Sequence, residues 1–309
     1  MEKKNNPLLL NETDRRKFIS NVTKAIGATV LLNSPLIGFA KSHPAGFKEI
    51  TVGEIMDAFI GEVTGAPFSQ TVDTLKAGNR DIQVTGIVTT MFATLGVIQK
   101  TIASGANFII AHEPTFYNHT DDTSWLKNDP VYRFKSELLS KHQVAVWRNH
   151  DYIHSHIPDG VISGVVAKLG WADYHNASNG IASIPGIPLK ELIQQVKGKL
   201  AINMVRYIGN PGQTCKKVLL MPGAAGGRRQ IEAMSREQPD VLICGEIQEW
   251  ETAEYVRDAQ TKGQQLSLIV LGHIASEEPG SEYMADWLRK KIPGIKVTHV
   301  PPTNSLSFL

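Results

Sequence analysis

From residue 51 to residue 300 the chain alternates short apolar runs with amphipathic stretches. Val52, Ile55, Met56 and Phe59 recur at helical spacing and predict a helix over 51–60. The polar, Gly- and Pro-containing stretch 61–81 reads as loop. Residues 84–91 are β-branched and read as a strand, 95–103 form an amphipathic helix stopped by Gly105, and Phe108-Ile109-Ile110 is a second strand ending at His112. Strand, helix and strand in that order make a βαβ unit, whose strands are parallel. A helix over 129–141, a strand over 143–147 and a helix over 160–170 follow. The Gly-, Pro-, Asn- and Ser-rich segment 174–188 reads as a boundary.

Alternation then resumes, with helices over 189–200, 231–236, 251–259 and 282–291 and strands over 217–221, 241–244 and 266–271; residues 295–300 close the pattern. Two rounds of strand–helix alternation predict an α/β fold of two related domains, although no close internal sequence repeat accompanies them. The expected division is residues 46–175 together with about 266–309 in one domain and 176–265 in the other.

The N-terminal segment falls outside this pattern. Thr13-Asp14-Arg15-Arg16-Lys17-Phe18-Ile19 resembles a twin-arginine export signal, and the weakly apolar stretch from Ala25 to Phe39 is interrupted by Gly27, Pro35 and Gly38. The expectation is that residues 1–45 are a signal and leader, that the protein is periplasmic, and that it has no stable membrane association after the signal is removed. A net charge of +2 gives no polybasic surface, so nucleic acid is not an expected partner. Neither Cys215 nor Cys244 belongs to a CxxC motif, which argues against a thiolate zinc site; an oxidising destination leaves open one bridge between them or two separate buried thiols.

Chemistry collects where the apolar strands end, which is where open α/β sheets hold their ligands. His112-Glu113 follows Phe108–Ala111, His150-Asp151-Tyr152-Ile153-His154-Ser155-His156 follows the strand to Trp147, and His273-x-x-x-Glu277 follows Leu266–Leu271. The His273/Glu277 spacing puts both side chains on one face of a helix or wraps a loop around a cation. Pro114 excludes a helical HExxH motif, so His112 and Glu113 project from a turn. These segments predict one metal site with His112, Glu113, His150, His154, His273 and Glu277 as candidate ligands. Either Asp151 or His150 could instead orient a ligand from behind. His156 reads as a bystander or a substrate contact, Glu246 as lining the pocket, and Glu249, Glu251, Glu254 and Glu278 as solvated. The turn Pro222-Gly-Ala-Ala-Gly-Gly227 with Arg228 and Arg229 is a weak candidate anion site, since it lacks both the P-loop Lys and the GxGxxG spacing.

Together Gly105–His112, Pro222–Gly226, Asp240–Glu246 and Leu271–Glu277 resemble the Nif-three-like family, also called the GTP cyclohydrolase I type 2-like family. The resemblance implies two similar α/β domains, a dinuclear metal centre in the cleft between them and a toroidal hexamer. It matches His112, His273 and Glu277 directly. Glu113 stands where the family usually has a second histidine, and His154 or Asp151 fills its aspartate position if His150 matches the preceding histidine. A His and a carboxylate have in effect changed places.

Imidazole and carboxylate ligands suit zinc, iron or manganese, with up to two ions per chain. Such a centre activates water for hydrolysis, with Glu113 or Asp151 as the candidate general base if not a ligand. The expected substrate is a small molecule, of unknown identity, because an exported chain would not meet cytoplasmic GTP. The alternative is a non-enzymatic metal-binding oligomer for storage, delivery or scaffolding.

Overall fold

Strands buried on both faces need helices on both sides, and this requirement organises the protein. The computed structural model describes residues 49–307; the export signal and leader expected over 1–45 lie outside them. Helix α1 (Val52–Ile60) carries a complete capping box between Thr51 and Glu54. It is followed by β1 (Leu75–Ala77), β2 (Ile87–Thr90), α2 (Leu95–Ala103), β3 (Phe108–Ala111), α3 (Pro130–Lys141) and β4 (Ala145–Arg148). A short α4 (Asp151–Ser155) and α5 (Gly160–Leu169) lead to β5 (His175–Asn176), β6 (Ile181–Pro188), α6 (Leu189–Leu200), β7 (Arg206–Ile208) and β8 (Thr214–Met221). Helix α7 (Gly227–Glu237), β9 (Val241–Cys244), α8 (Glu254–Thr261), β10 (Ser267–Val270), α9 (His273–Lys291) and β11 (Val297–His299) complete the order.

These strands form two sheets, of order β1-β4-β3-β2-β11 and β5-β6-β8-β9-β10-β7. In the first, β11, β2, β3 and β4 are parallel and β1 runs antiparallel at the edge. In the second, β8, β9 and β10 are parallel, flanked by antiparallel β6 and β7. Every residue of β2, β3, β4, β9 and β10 is buried, and each sheet has an apolar cluster on either face. The α/β reading therefore holds.

Four expectations change. The supposed boundary 174–188 contains β6, whose Ile181, Ala182 and Ile184 are buried; Gly180 and Pro185 masked that pattern. The loop 61–81 contains the edge strand β1. The chain does not leave the second sheet near residue 266: β10 pairs with β9 and β7, and the return to the first sheet comes through α9 and β11. Helix α9 begins at His273, well before the expected 282, and runs through Pro279.

Proline inside a helix removes one backbone hydrogen bond and normally kinks or ends it. Here packing holds the helix. Gly164 of α5 lies so close to the Pro279 carbonyl that a Cβ would overlap it, and a Cβ on Gly280 would come within 2.9 Å of Val161 Cα. The two helices meet backbone to backbone, and the helical turn at Pro279 is clamped.

Candidate metal centre

Each histidine of the cluster is aimed by an oxygen behind it. His112 is buried at the end of β3, and its Nδ1 lies 3.2 Å from the carbonyl of Asn149. His150 Nδ1 is 2.9 Å from Asp151 Oδ1, His154 Nδ1 is 3.0 Å from Asp159 Oδ2, and His273 Nδ1 is 2.9 Å from Glu246 Oε1. An acceptor at Nδ1 fixes the proton there and leaves Nε2 as the donor atom, the arrangement that metal-ligating histidines share.

Backbone contacts set the positions. The amides of His112 and Glu113 donate to the carbonyls of Thr90 and Met91, so the turn after β3 continues the ladder of β2. Asp73 accepts from the amides of His150 and Tyr152 at 2.8 and 2.7 Å and so caps α4 from a distant loop. Burial raises its pKa, against the lowering effect of those amides. The rings of His112, His150 and His154 gather with centroids 4.8 to 5.1 Å apart. Glu277 enters from the first turns of α9, and His273 Nε2 lies 3.0 Å from its Oε2 and 3.1 Å from Glu113 Oε1.

Room for Glu277 comes from Gly223. Its φ is +68°, and a Cβ there would overlap the Glu277 carboxylate. The Gly223 amide donates to Ser276 Oγ at 2.9 Å, which ties the turn after β8 to α9. The glycine turn thus accommodates the Glu277 side chain. The helix that follows it meets Glu251, whose carboxylate occupies the space a Cβ on Gly227 would take. Glu251 is accordingly half-buried against the start of α7, and the expected anion site is filled from within.

Two sets of donor atoms fall within 4.8 Å of one another: His112, His150 and His154, and His112, Glu113 and Glu277. His112 belongs to both sets; its Nε2 is buried, makes no hydrogen bond among the described residues, and lies 3.5 Å from Glu277 Oε2. Two donors held about 2.1 Å from a tetrahedral cation are separated by about 3.4 Å, so this spacing suits a shared ion. The electrostatics agree. Burial opposes charge on His273, yet hydrogen bonds to Glu113 and Glu277 overcome it and lift its pKa to about 11. Burial likewise resists the Glu277 carboxylate, but His112 and His273 hold its pKa far below the usual carboxylate range; Glu113 shifts the same way for the same reason. Burial and the neighbouring His112 push His150 down to about 4 despite Asp151, so it is a neutral imidazole at pH 7. The cluster draws positive charge to one end and keeps an uncharged nitrogen at the other, and its donors fit a divalent transition metal.

All six predicted ligands lie in this region. Asp151 is not free as a base: Oδ1 meets His150, and Oδ2 accepts from the Thr71 hydroxyl at 2.7 Å and the Val72 amide at 3.1 Å. Its role is to orient His150. His156 stacks on Phe59 at 5.5 Å and stands apart from the donor sets, as a structural residue. Glu278 is not solvated; its side chain is 14% exposed and its Oε1 lies 2.9 Å from His299 Nε2. Sequence reading missed Arg148, Asp159 and Asp73. Arg148 is fully buried and donates to the carbonyls of His112 and His119 and, at 3.3 Å, to Glu113 Oε2. Only Asp159 left a trace, as an Asp directly before the α5 pattern, where it caps the helix with its other oxygen.

An α/β protein whose strand ends assemble a His/Glu cluster able to hold a metal ion is the class that fold and site define. The chain belongs to the Duf34/NIF3 (NGG1p interacting factor 3) family, whose sequence model matches residues 68–304. It is 25% identical over 232 residues to a GTP cyclohydrolase 1 type 2 homolog of Clostridium acetobutylicum, covering 71% of this chain and 81% of the relative. Among solved structures it resembles the hypothetical protein SA1388 of Staphylococcus aureus, with a TM-score of 0.69, 19% identity, and coverage of 85% of this chain and 100% of that one. A Bacillus cereus protein related to NIF3 matches with a TM-score of 0.68 and 14% identity over 85% of this chain and 100% of that one.

Proposed function

We propose that the protein is a metal-dependent hydrolase of a small molecule, with a mono- or dinuclear centre held by His112, Glu113, His150, His154, His273 and Glu277. The observation that carries this reading is the shared arrangement of the four histidines, each with an oxygen at Nδ1 that leaves Nε2 as the atom to ligate. A bound zinc, iron or manganese ion supplies Lewis-acid polarisation and acidifies water near neutral pH. The chain's own residues set the rest. Arg148 fixes one Glu113 oxygen and leaves the other facing His273, so Glu113 acts as a ligand rather than a base. Glu246, with a side chain 55% exposed, orients His273 from the solvent side. The name carried by the relatives supports hydrolysis within a ring, the cyclohydrolase class.

The same reading extends to a hexamer, by family resemblance, and to export by the twin-arginine route to the periplasm, on the Arg15-Arg16 motif. An exported enzyme would act on a small molecule other than GTP.

Elemental analysis of the purified protein and assays of the metal-loaded form against cyclic amidine, amide, ester and phosphoester panels test the proposal. Up to two transition-metal ions per chain are expected, with most of the metal lost in His273→Ala. Full metal content in that variant removes His273 from the centre. A metal-loaded protein inactive across the panels overturns the hydrolase and leaves metal binding as the function.

A further inference from the structure

Away from the histidine cluster, the first sheet carries a cleft of about 600 Å³ between β1, α3 and the loop before α3. That volume lies within the usual range for small-molecule pockets. It is walled by hydroxyl-bearing residues, among them Thr123, Tyr132, Ser136 and Ser140, and by the charged Lys76 and Asp121. Ser136 Oγ is buried without a hydrogen-bond partner among the described residues. Lys76 and Asp121 have side chains only 6% and 3% exposed, and Lys76 Nζ lies 3.3 Å from Asp121 Oδ2. Asp121 also adopts a left-handed backbone conformation, φ 56°, which costs energy for a non-glycine residue and recurs at binding sites.

A chain of charges runs behind this wall. Asp121 is faced by Lys76 and Arg148, and Lys135 also feels its field. Glu113, on the far side of Arg148, is shared with His273. Lys76 and Arg148 thus both face Asp121, while Lys135 stands behind them, outside the lining of the cleft. Lys135 donates to the Thr115 carbonyl at 2.6 Å, and its burial lowers its pKa to about 8. Hydroxyls that both donate and accept match the hydroxyls of a ligand, and the Lys76 ammonium in the wall matches an anion.

We propose that this cleft is a second ligand site, separate from the metal centre, which takes a small hydroxylated organic anion. Its carboxylate or phosphate would face Lys76, and its hydroxyls would meet the Ser136 and Tyr132 side of the wall.

Titration calorimetry on the full-length, metal-loaded protein tests this with three probes: gluconate, its uncharged counterpart sorbitol, and hexanoate, an anion without hydroxyls. Gluconate should bind in the millimolar range or tighter, about tenfold better than either control. Ser136→Val adds bulk to the cleft where no hydrogen bond is lost, so the fold should stand while gluconate affinity drops about tenfold. Because gluconate also chelates metals, His273→Ala is the discriminating variant, and it should bind gluconate as the parent does. Equal binding of the three probes, no binding by any, or binding lost in His273→Ala and kept in Ser136→Val would each overturn the proposal. The last outcome would move the gluconate to the metal centre and leave the hydrolase reading intact.

Discussion

The two sheets end differently. In the first, the strand ends carry long polar side chains: His112 and Glu113 after β3, and Arg148, Asn149 and His150 at the end of β4. In the second they carry glycine: Gly223 near the end of β8, Gly245 after β9 and Gly272 before α9. One sheet brings most of the donor groups and their supports, with His273 and Glu246 the exceptions, each directly after a glycine of the second sheet. The other brings space, into which α9 carries Glu277 and Ser276; a Cβ on Gly245 would overlap Ser276 Oγ and the Gly223 backbone. Mutations on the first side should therefore act through unpaired charge, and those on the second through lost room.

The largest expected effect tests the first half of that contrast. Arg148→Met leaves Glu113 and Asp121 as buried carboxylates without their guanidinium, and breaking a buried pair in this way costs about 3–5 kcal/mol. Denaturant unfolding of the metal-free variant should show the loss. A change below about 1 kcal/mol would mean that Arg148 is not the support of this wall.

Gly223→Val tests the second half. A β-branched residue at positive φ is strained and would displace Glu277, at a combined cost of about 2–4 kcal/mol. Metal content should fall along with stability, although Gly223 is not itself a ligand. Retention of the parent's metal content at reduced stability would separate the turn from the centre.

A smaller effect isolates ligand orientation. Asp159→Asn can still cap α5 through its oxygen but no longer pairs as an anion with His154 Nδ1. Losing a support of this kind typically weakens metal affinity about 10–100-fold, which competition with a chelator can read. Unaltered affinity would exclude His154 as a ligand.

This comparison also explains what could be read from the sequence. Candidate ligands on the first sheet were legible because each follows an apolar strand within a few residues, as His112 and His150 do. His273 and Glu277 were legible through helical spacing. Arg148 was not, because an arginine after Ala-Val-Trp looks like the first solvated residue past a strand, and only the fold shows Asp121 and Glu113 meeting it. Asp73 was hidden for the same reason, in a stretch that reads as loop. The full length of α9 was obscured by Pro279, since the glycines that clamp that turn lie partly on α5. Long-range pairing, rather than local preference, set each of these outcomes.

The metal-free protein should also show the cluster's charge demand in its pH dependence. His273 has a folded pKa raised to about 11, so its contribution to stability is complete below its ordinary value near 6.5 and is lost as pH climbs toward 11. His150 works the other way. Its folded pKa near 4 means that the unfolded chain takes up a proton first, so stability falls as pH drops from about 6.5 toward 4. A bound cation takes the place of the His273 proton, so the gap in Tm between metal-loaded and metal-free protein should widen from neutral to alkaline pH. A constant gap across that range would show that His273 carries no proton in the metal-free site.

The smallest effect expected is none at all, and it concerns the second sheet alone. Cys215 and Cys244 are both buried and free. In the β8–β9 register Met221 faces Cys244, which places Cys215 six residues, or about 20 Å, along the strand from that partner. A disulfide needs Cα atoms within about 7 Å, so no bridge can form without dismantling the sheet. Burial raises both thiols, to about 11 for Cys215 and about 12 for Cys244, so neither is a reactive thiolate at neutral pH. Melting temperature should be the same with and without dithiothreitol. A drop on reduction would mean that the oxidised protein pairs its strands in a register different from this one, and the glycine-lined ends of the second sheet would then no longer face α9.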